Sequence, residues 1–175
     1  MPKDTAMTSP IDRAFQRIYR VGFCMARLWW RLRKPHHRGA LVALWVGDRI
    51  LVVQQSYRAG LTLPGGGVRS GEPPEVAAQR ELREELGLVM DATHLVPACV
   101  LRGDWDYRRD QVHVFTLHLA EEPVLRPDRR EIADACFVPI EMLAMAHLTP
   151  TLRAYLECAG IGRANHPHPS PCPAF

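Results

Sequence analysis

The segment that most limits what this chain can fold into is residues 66–88, GGVRSGEPPEVAAQRELREELGL, preceded by Pro64 and Gly65. Three successive glycines, Gly65, Gly66 and Gly67, let backbone approach backbone or a bound group more closely than any side chain allows. Pro73 and Pro74 suit the first turn of a helix, and Gly87 suits the residue just past its end. Within that helix Glu81, Glu84 and Glu85 stand at i, i+3 and i+4, so three carboxylates share one face. Such crowding is repulsive unless a cation sits among them, and hard oxygen donors select magnesium or manganese, Mg2+ or Mn2+, bound together with substrate phosphates. The plain alternative is a solvated helix face on which Arg80 pairs with Glu84.

The fixed positions are Gly66, Glu72 six residues on, and the run Arg80-Glu81-Leu82-Arg83-Glu84-Glu85-Leu86-Gly87-Leu88. They match the pattern GX5EX7REUXEEXGU, with U aliphatic, at every fixed place, and in this the chain resembles the Nudix hydrolases. The resemblance is specific over the box and extends by element order over roughly residues 39–158. It implies an α/β (α+β) fold, an α/β/α sandwich around a mixed β-sheet. The activity it implies is metal-dependent pyrophosphohydrolysis of a nucleoside diphosphate linked to a second group. Glu84 and Glu85 then become the principal metal ligands, Glu81 a ligand or general base, and the Gly65 carbonyl a further ligand, while Glu72 and Arg80 form a mainly structural pair. A last ligand or base comes, in this resemblance, from a loop before a late strand, and Glu131, six residues ahead of Phe137, fits that place; the alternative is an exposed loop acid. Arg69 stands where many such sequences carry an acid.

Substrate contacts are harder to read. Gly66 and Gly67 offer backbone to a phosphate, and Tyr57 with Arg58, just ahead of the glycine loop, could touch phosphate or nucleotide or merely end a strand. The stretch 104–110, DWDYRRD, mixes aromatics with both charge signs, so Trp105 and Tyr107 could stack a base, or the stretch is an ordinary polar hairpin loop. Two family signatures for particular substrates lie downstream of the box: Gly103 stands fifteen residues past Leu88, where one of them needs proline, and Tyr107 matches the other only approximately. Neither specificity is supported. Other readings of the same resemblance are a noncatalytic nucleotide or ADP-ribose sensor, whose sign would be lost box glutamates, and an RNA 5′-end pyrophosphohydrolase. No box glutamate is lost. The histidines form no metal site by spacing, and His36, His37, His113 and His118 read as ordinary helix-end and strand residues.

Elsewhere the chain divides into a polar start (1–10), a cationic amphipathic helix (11–34), the Nudix domain (35–160) and a proline-rich tail (161–175). In the helix Ile11, Phe15, Ile18, Val21, Met25, Leu28 and Leu32 recur three or four apart, with seven basic residues between Arg13 and Lys34 and Trp29-Trp30 near its end. Packing of this apolar face on the domain or on a second subunit, as a homodimer, leaves the arginines solvated; attachment to a membrane surface or to a negatively charged partner are the functional readings. A net charge of +3 is too small to favour nucleic acid as a partner. Five cysteines, odd in number and without a CxxC pair, read as reduced and mostly buried thiols. No signal peptide or membrane-spanning segment is visible, which points to the cytoplasm. Strands are expected at 39–46 and 50–53 around a Gly47-Asp48 turn, at 95–101, 111–119 and 134–138, with short helices at 140–147 and 150–159.

Overall fold

The computed structural model describes residues 10–33, 35–105 and 107–161. The expectations for the two termini, and for Cys172, lie almost wholly outside the described residues. Along the chain come α1 (Pro10–Arg33), β1 (His36–Val46), β2 (Arg49–Gln55), β3 (Leu61–Thr62), β4 (Gly65–Gly67), α2 (Pro74–Leu86), β5 (Val96–Trp105), β6 (Arg108–Leu119), β7 (Ile132–Pro139) and α3 (Pro150–Cys158). Single 3-10 segments lie at Ala92–His94 and Ile140–Met145.

All seven strands join one sheet, in the order β3-β2-β1-β6-β5, with β4 also on β1 and β7 on β2. β1 and β6 run parallel over their full length, from His36 opposite Arg109 to Val46 opposite Leu119, and the other pairings are antiparallel. The sheet is therefore mixed. The near-continuous apolar run of β1 follows from burial on both faces. Ala40, Val42 and Leu44 pack toward α2, against Ala77, Ala78, Leu82 and Leu86. Leu41 and Ala43 pack the other way, with Ile50 and Val52 of β2, against Leu152, Tyr155 and Leu156 of α3. Two helices thus sandwich the sheet.

The hairpin between β1 and β2 turns at Gly47, whose φ of 60° is one that glycine adopts without strain. The end of α2 is as expected: Gly87 has φ 68°, its N–H donates to Arg83 O, and the N–H of Leu88 donates to Leu82 O. That is the Schellman arrangement, which satisfies the last carbonyls of the helix.

Four expectations change. The α-helix expected at 140–147 is instead a shorter 3-10 segment, Ile140–Met145, in which only Leu143 is buried, with Pro139 before it and Pro150 opening α3 after it. Residues 104–110 are mostly strand: β5 runs through Trp105 and β6 resumes at Arg108, leaving a tight turn at Tyr107 with φ 65°. The cysteines among the described residues are not buried; Cys24, Cys136 and Cys158 are exposed and Cys99 is half-buried. Finally, α1 buries no residue, and its long aliphatic stripe points outward. It meets the domain through other residues, Tyr19 and Phe23 against the Tyr57 ring, and Gln16 and Arg20 donating to the carbonyls of Arg129 and Ser56.

Candidate active site

Strand β4 lies along α2, and each glycine meets one side chain of the helix. The Gly65 N–H donates to Glu85 Oε2 at 2.8 Å. A Cβ on Gly66 would stand 2.7 Å from the Glu81 carboxylate, and the Gly67 carbonyl accepts from Arg80 Nη2 at 2.9 Å. Gly65 itself has φ 131°, and a Cβ there would come within 2.2 Å of Ala40 O on β1. Glycine is required at 65 by β1 and at 66 by Glu81. This is why the loop carries no side chains.

Arg80 organises the next layer. Its Nε donates to Glu72 Oε1 at 2.9 Å and its Nη2 to Glu72 Oε2 at 3.1 Å, a two-point contact on a side chain only 10% exposed. Its Nη1 also reaches Glu81 Oε1 at 2.6 Å and Glu84 Oε2 at 3.2 Å. Glu72 accepts besides from the Arg69 N–H at 2.9 Å. The bond from Arg80, then the one from Arg69, hold the Glu72 carboxyl near 2, well below the usual range.

The remaining carboxylates are uncomfortable. Glu85 is 3% exposed, and burial first, then the charges of Glu81, Glu131 and Glu84, push its pKa well up against the opposing Gly65 hydrogen bond. Burial likewise raises Glu81, opposed by Arg80, and Glu131, opposed by the Tyr57 hydroxyl. Four carboxylates, Glu81, Glu84, Glu85 and Glu131, thus share ground with the guanidinium of Arg80 and with that of Arg69, which lies 3.6 Å from Glu84 Oε1.

Glu131 reaches this cluster through backbone bonds made far from it in sequence. The loop before β7 caps α2, the N–H groups of Arg126 and Asp128 donating to the carbonyls of Leu86 and Glu85 at 2.8 Å each. At its other end the Ser56 N–H donates to Glu131 O at 2.7 Å, and Ser56 Oγ to Arg130 O at 2.9 Å. These bonds put Glu131 beside Tyr57, whose hydroxyl donates to Glu131 Oε1 at 3.2 Å. Burial, and then the Glu131 charge, raise the Tyr57 phenol, so it stays a donor at neutral pH.

A cavity of about 700 Å³ opens over this ground, walled by Tyr57, Arg58, Gly65, Gly66, Gly67, Glu81, Glu84, Trp105 and Glu131 among others. Glu85 sits beneath that wall, joined to it through Gly65. Tyr107 is not part of the wall, contrary to expectation: its ring lies under the guanidinium groups of Arg27 and Arg31 of α1, at 5.6 and 5.7 Å. The turn at Tyr107 carries its side chain past the end of the sheet, toward α1.

Two features of the cavity escape a reading of the sequence. From α1, Tyr19 stacks on Tyr57 with ring centroids 6.1 Å apart, and Phe23 lies 5.2 Å from the same ring, so the helix supplies an aromatic wall. On the far side His37 Nδ1 lies 2.9 Å from Oδ1 of Asp110, a carboxylate 3% exposed, and both residues line the cavity. They are direct neighbours in the parallel β1–β6 register. Nothing in residues 73 positions apart signals that pairing.

The donor set is all oxygen, which fits a hard divalent cation. Among the described residues no three acidic, imidazole or thiol groups already converge closely enough to hold one. Arg80 engages Glu81 and Glu84, and the Gly65 N–H engages Glu85.

The model of the NUDIX domain matches residues 35–157. An ADP-ribose pyrophosphatase of Bacillus subtilis (strain 168) is 34% identical over 110 residues, 59% of this chain and 57% of that protein, so the match spans little more than half of the relative's length. Among solved structures, a MutT NUDIX hydrolase from Burkholderia pseudomallei superposes with a TM-score of 0.59 at 24% identity, over 70% of this chain and 96% of that one. A bifunctional NMN adenylyltransferase/ADP ribose pyrophosphatase from Francisella tularensis, complexed with AMP and a Mn ion, gives 0.58 at 22% identity, over 82% of this chain and 47% of that one. These structural likenesses support the fold, and the domain match covers most of the chain, with Glu81 and Glu84 of the box lining the cavity; the chain belongs to the NUDIX family.

Proposed function

We propose that this protein is a metal-dependent pyrophosphohydrolase that cleaves the diphosphate linkage of a nucleoside diphosphate joined to a second group. The observation that carries the reading is the gathering of Glu81, Glu84 and Glu131, from two segments far apart in the chain, around one cavity floored by bare glycine backbone, with Glu85 just beneath it on the Gly65 N–H. A nucleotide relative that is an ADP-ribose pyrophosphatase supports the substrate class, and a neighbour solved with manganese supports the cofactor.

In the reaction, water adds to one phosphorus, the bridging P–O bond breaks, and two phosphate-ended products leave with release of a proton. Magnesium or manganese held by Glu81, Glu84, Glu85, Glu131 and the Gly65 carbonyl would offset phosphoryl charge and lower the pKa of water. For the first two carboxylates this means turning away from Arg80, which keeps its two bonds to Glu72. Gly66 and Gly67 leave room for phosphate against the backbone, Arg58 faces it with positive charge, and Glu81 or Glu131 accepts the proton from water. Tyr57 orients Glu131 through its hydroxyl. Trp105 and the rings of Tyr57, Tyr19 and Phe23 offer flat surfaces to a base.

The test is a panel of nucleoside diphosphate derivatives, with capped and triphosphorylated RNA, assayed with magnesium and with manganese. Hydrolysis of a small nucleotide that vanishes in Glu84→Gln and Glu85→Gln, with the far-ultraviolet circular dichroism unchanged, is expected. Full activity in either variant refutes the site, and inactivity across the panel gives the fold to ligand sensing instead.

A further inference from the structure

Helix α1 presents two unlike faces. The inner one, Tyr19, Phe23 and Trp30, lines the cavity. Beside it around the helix Ile11, Val21, Met25, Leu28, Trp29 and Leu32 are between 54% and 78% exposed, so large apolar side chains stand in water along a helix of 24 residues, about 36 Å. A soluble monomer rarely leaves a contiguous apolar surface of that extent uncovered.

Charge decides what covers it. The helix carries six arginines, Arg13, Arg17, Arg20, Arg27, Arg31 and Arg33, against Asp12 as its lone acid. Arg20, Arg27 and Arg31 turn to the domain, the first donating to Ser56 O and the other two lying over Tyr107, which leaves Arg13 and Arg17 along one edge of the stripe and Arg33 at the other. A second copy laid on this face would bring another arginine row with no acids to offset it. The stripe is also wider than a coiled-coil seam, since Trp29 broadens it beyond the positions that repeat every 3.5 residues, while Phe15 lies under Arg130 of the domain. An anionic lipid surface answers both features: acyl chains accept the aliphatic side chains, headgroup phosphates accept the guanidinium groups, and an indole such as that of Trp29 favours the boundary between them. Among the described residues no helix is long and apolar enough to cross a membrane, so α1 would lie in the surface plane.

We infer that the outer face of α1 docks the protein on anionic bilayers, with the aromatic inner face still closing the cavity behind it. The assay is sedimentation of the full chain with vesicles of phosphatidylglycerol and phosphatidylcholine, or of phosphatidylcholine alone, at about 0.15 M salt. Binding to the mixed vesicles should exceed binding to the neutral ones at least tenfold. The double variant Met25→Glu, Leu28→Glu, at positions outside the cavity wall, should lose at least tenfold while keeping its melting temperature and its hydrolysis of soluble substrate. Failure to sediment with anionic vesicles overturns the inference. So does vesicle binding that the double variant leaves unchanged, or a lipid-free dimer that the double variant dissolves, which would give the face to a second copy. Because sedimentation needs no turnover, its outcome is separate from that of the hydrolysis panel.

Discussion

Gly66→Ala isolates the contact between the glycine strand and helix α2. A methyl group at 66 would lie 2.7 Å from both the Cδ and the Oε1 of Glu81, and 2.9 Å from Oε2. Ordinary contact begins at 3.4 Å, so the carboxylate must retreat by about 0.7 Å or turn away. What it meets is the end of a flexible side chain, not backbone, and the fold can absorb the change. The expected result is a fall in kcat of about 100-fold, equivalent to about 2.7 kcal/mol of barrier, from a displacement approaching 1 Å in a group that must be placed accurately. Stability, followed by urea denaturation, should move by less than about 1 kcal/mol. Gly65→Ala supplies the contrast: its Cβ would meet Ala40 O at 2.2 Å and the residue has φ 131°, so strand β1 must shift and stability should fall by about 3 kcal/mol or more. The reasoning is refuted by a Gly66→Ala enzyme with unaltered kcat, or by a Gly66→Ala loss that tracks unfolding as closely as that of Gly65→Ala.

Three further outcomes are expected. Tyr57→Phe keeps the ring between Tyr19 and Phe23 but removes the hydroxyl from Glu131, so kcat should drop about tenfold with little change in melting temperature; unaltered kinetics would take Glu131 out of the reaction. Glu72, held near 2 by Arg80 and Arg69 against an ordinary 4.5, has a depressed folded-state pKa. Its contribution to stability is therefore complete above about pH 4.5 and fades as pH falls toward 2, and Glu72→Gln should flatten the acid limb of a melting-temperature profile over that window. Leu82→Ala empties a fully buried position on the core face of α2 and should cost about 3 kcal/mol in urea denaturation; a value under about 1 kcal/mol would mean that α2 is not packed on β1 as described.

How much of this was legible beforehand depends on the range over which each feature is encoded. Helix α2 could be read in full, because its proline opening, its carboxylate face at i, i+3 and i+4 and its glycine end are all local. The hairpin of β1 and β2 was legible for the same reason. Glycine-rich β4 was visible only as a loop, since nothing in three glycines announces that they pair with Gly39, Ala40 and Leu41. For α1 the periodicity was right, and of the surfaces its aliphatic stripe could cover, the domain itself is not one. Its aliphatic stripe has the stronger hydrophobic signal, yet the weaker aromatic row meets Tyr57, because the ring of Tyr57 and the carbonyls of Ser56 and Arg129 are what the domain presents there. Tyr107 shows the same limit: composition singled it out, and a single positive φ sends its ring toward α1 rather than into the cavity.

The amino-acid order alone therefore determined the reagent set: glycines without side chains, glutamates in helical register, and an arginine spaced to hold Glu72. All of that follows from backbone geometry over one or two turns. Tertiary structure decided which groups share the cavity, because Glu131, His37 with Asp110, and Tyr19 with Phe23 reach it only through sheet pairing, the capping of α2 by residues 126–128, and the docking of a helix from the other end of the chain. Those contacts depend on the register of strands dozens of residues apart, and no local pattern carries that register.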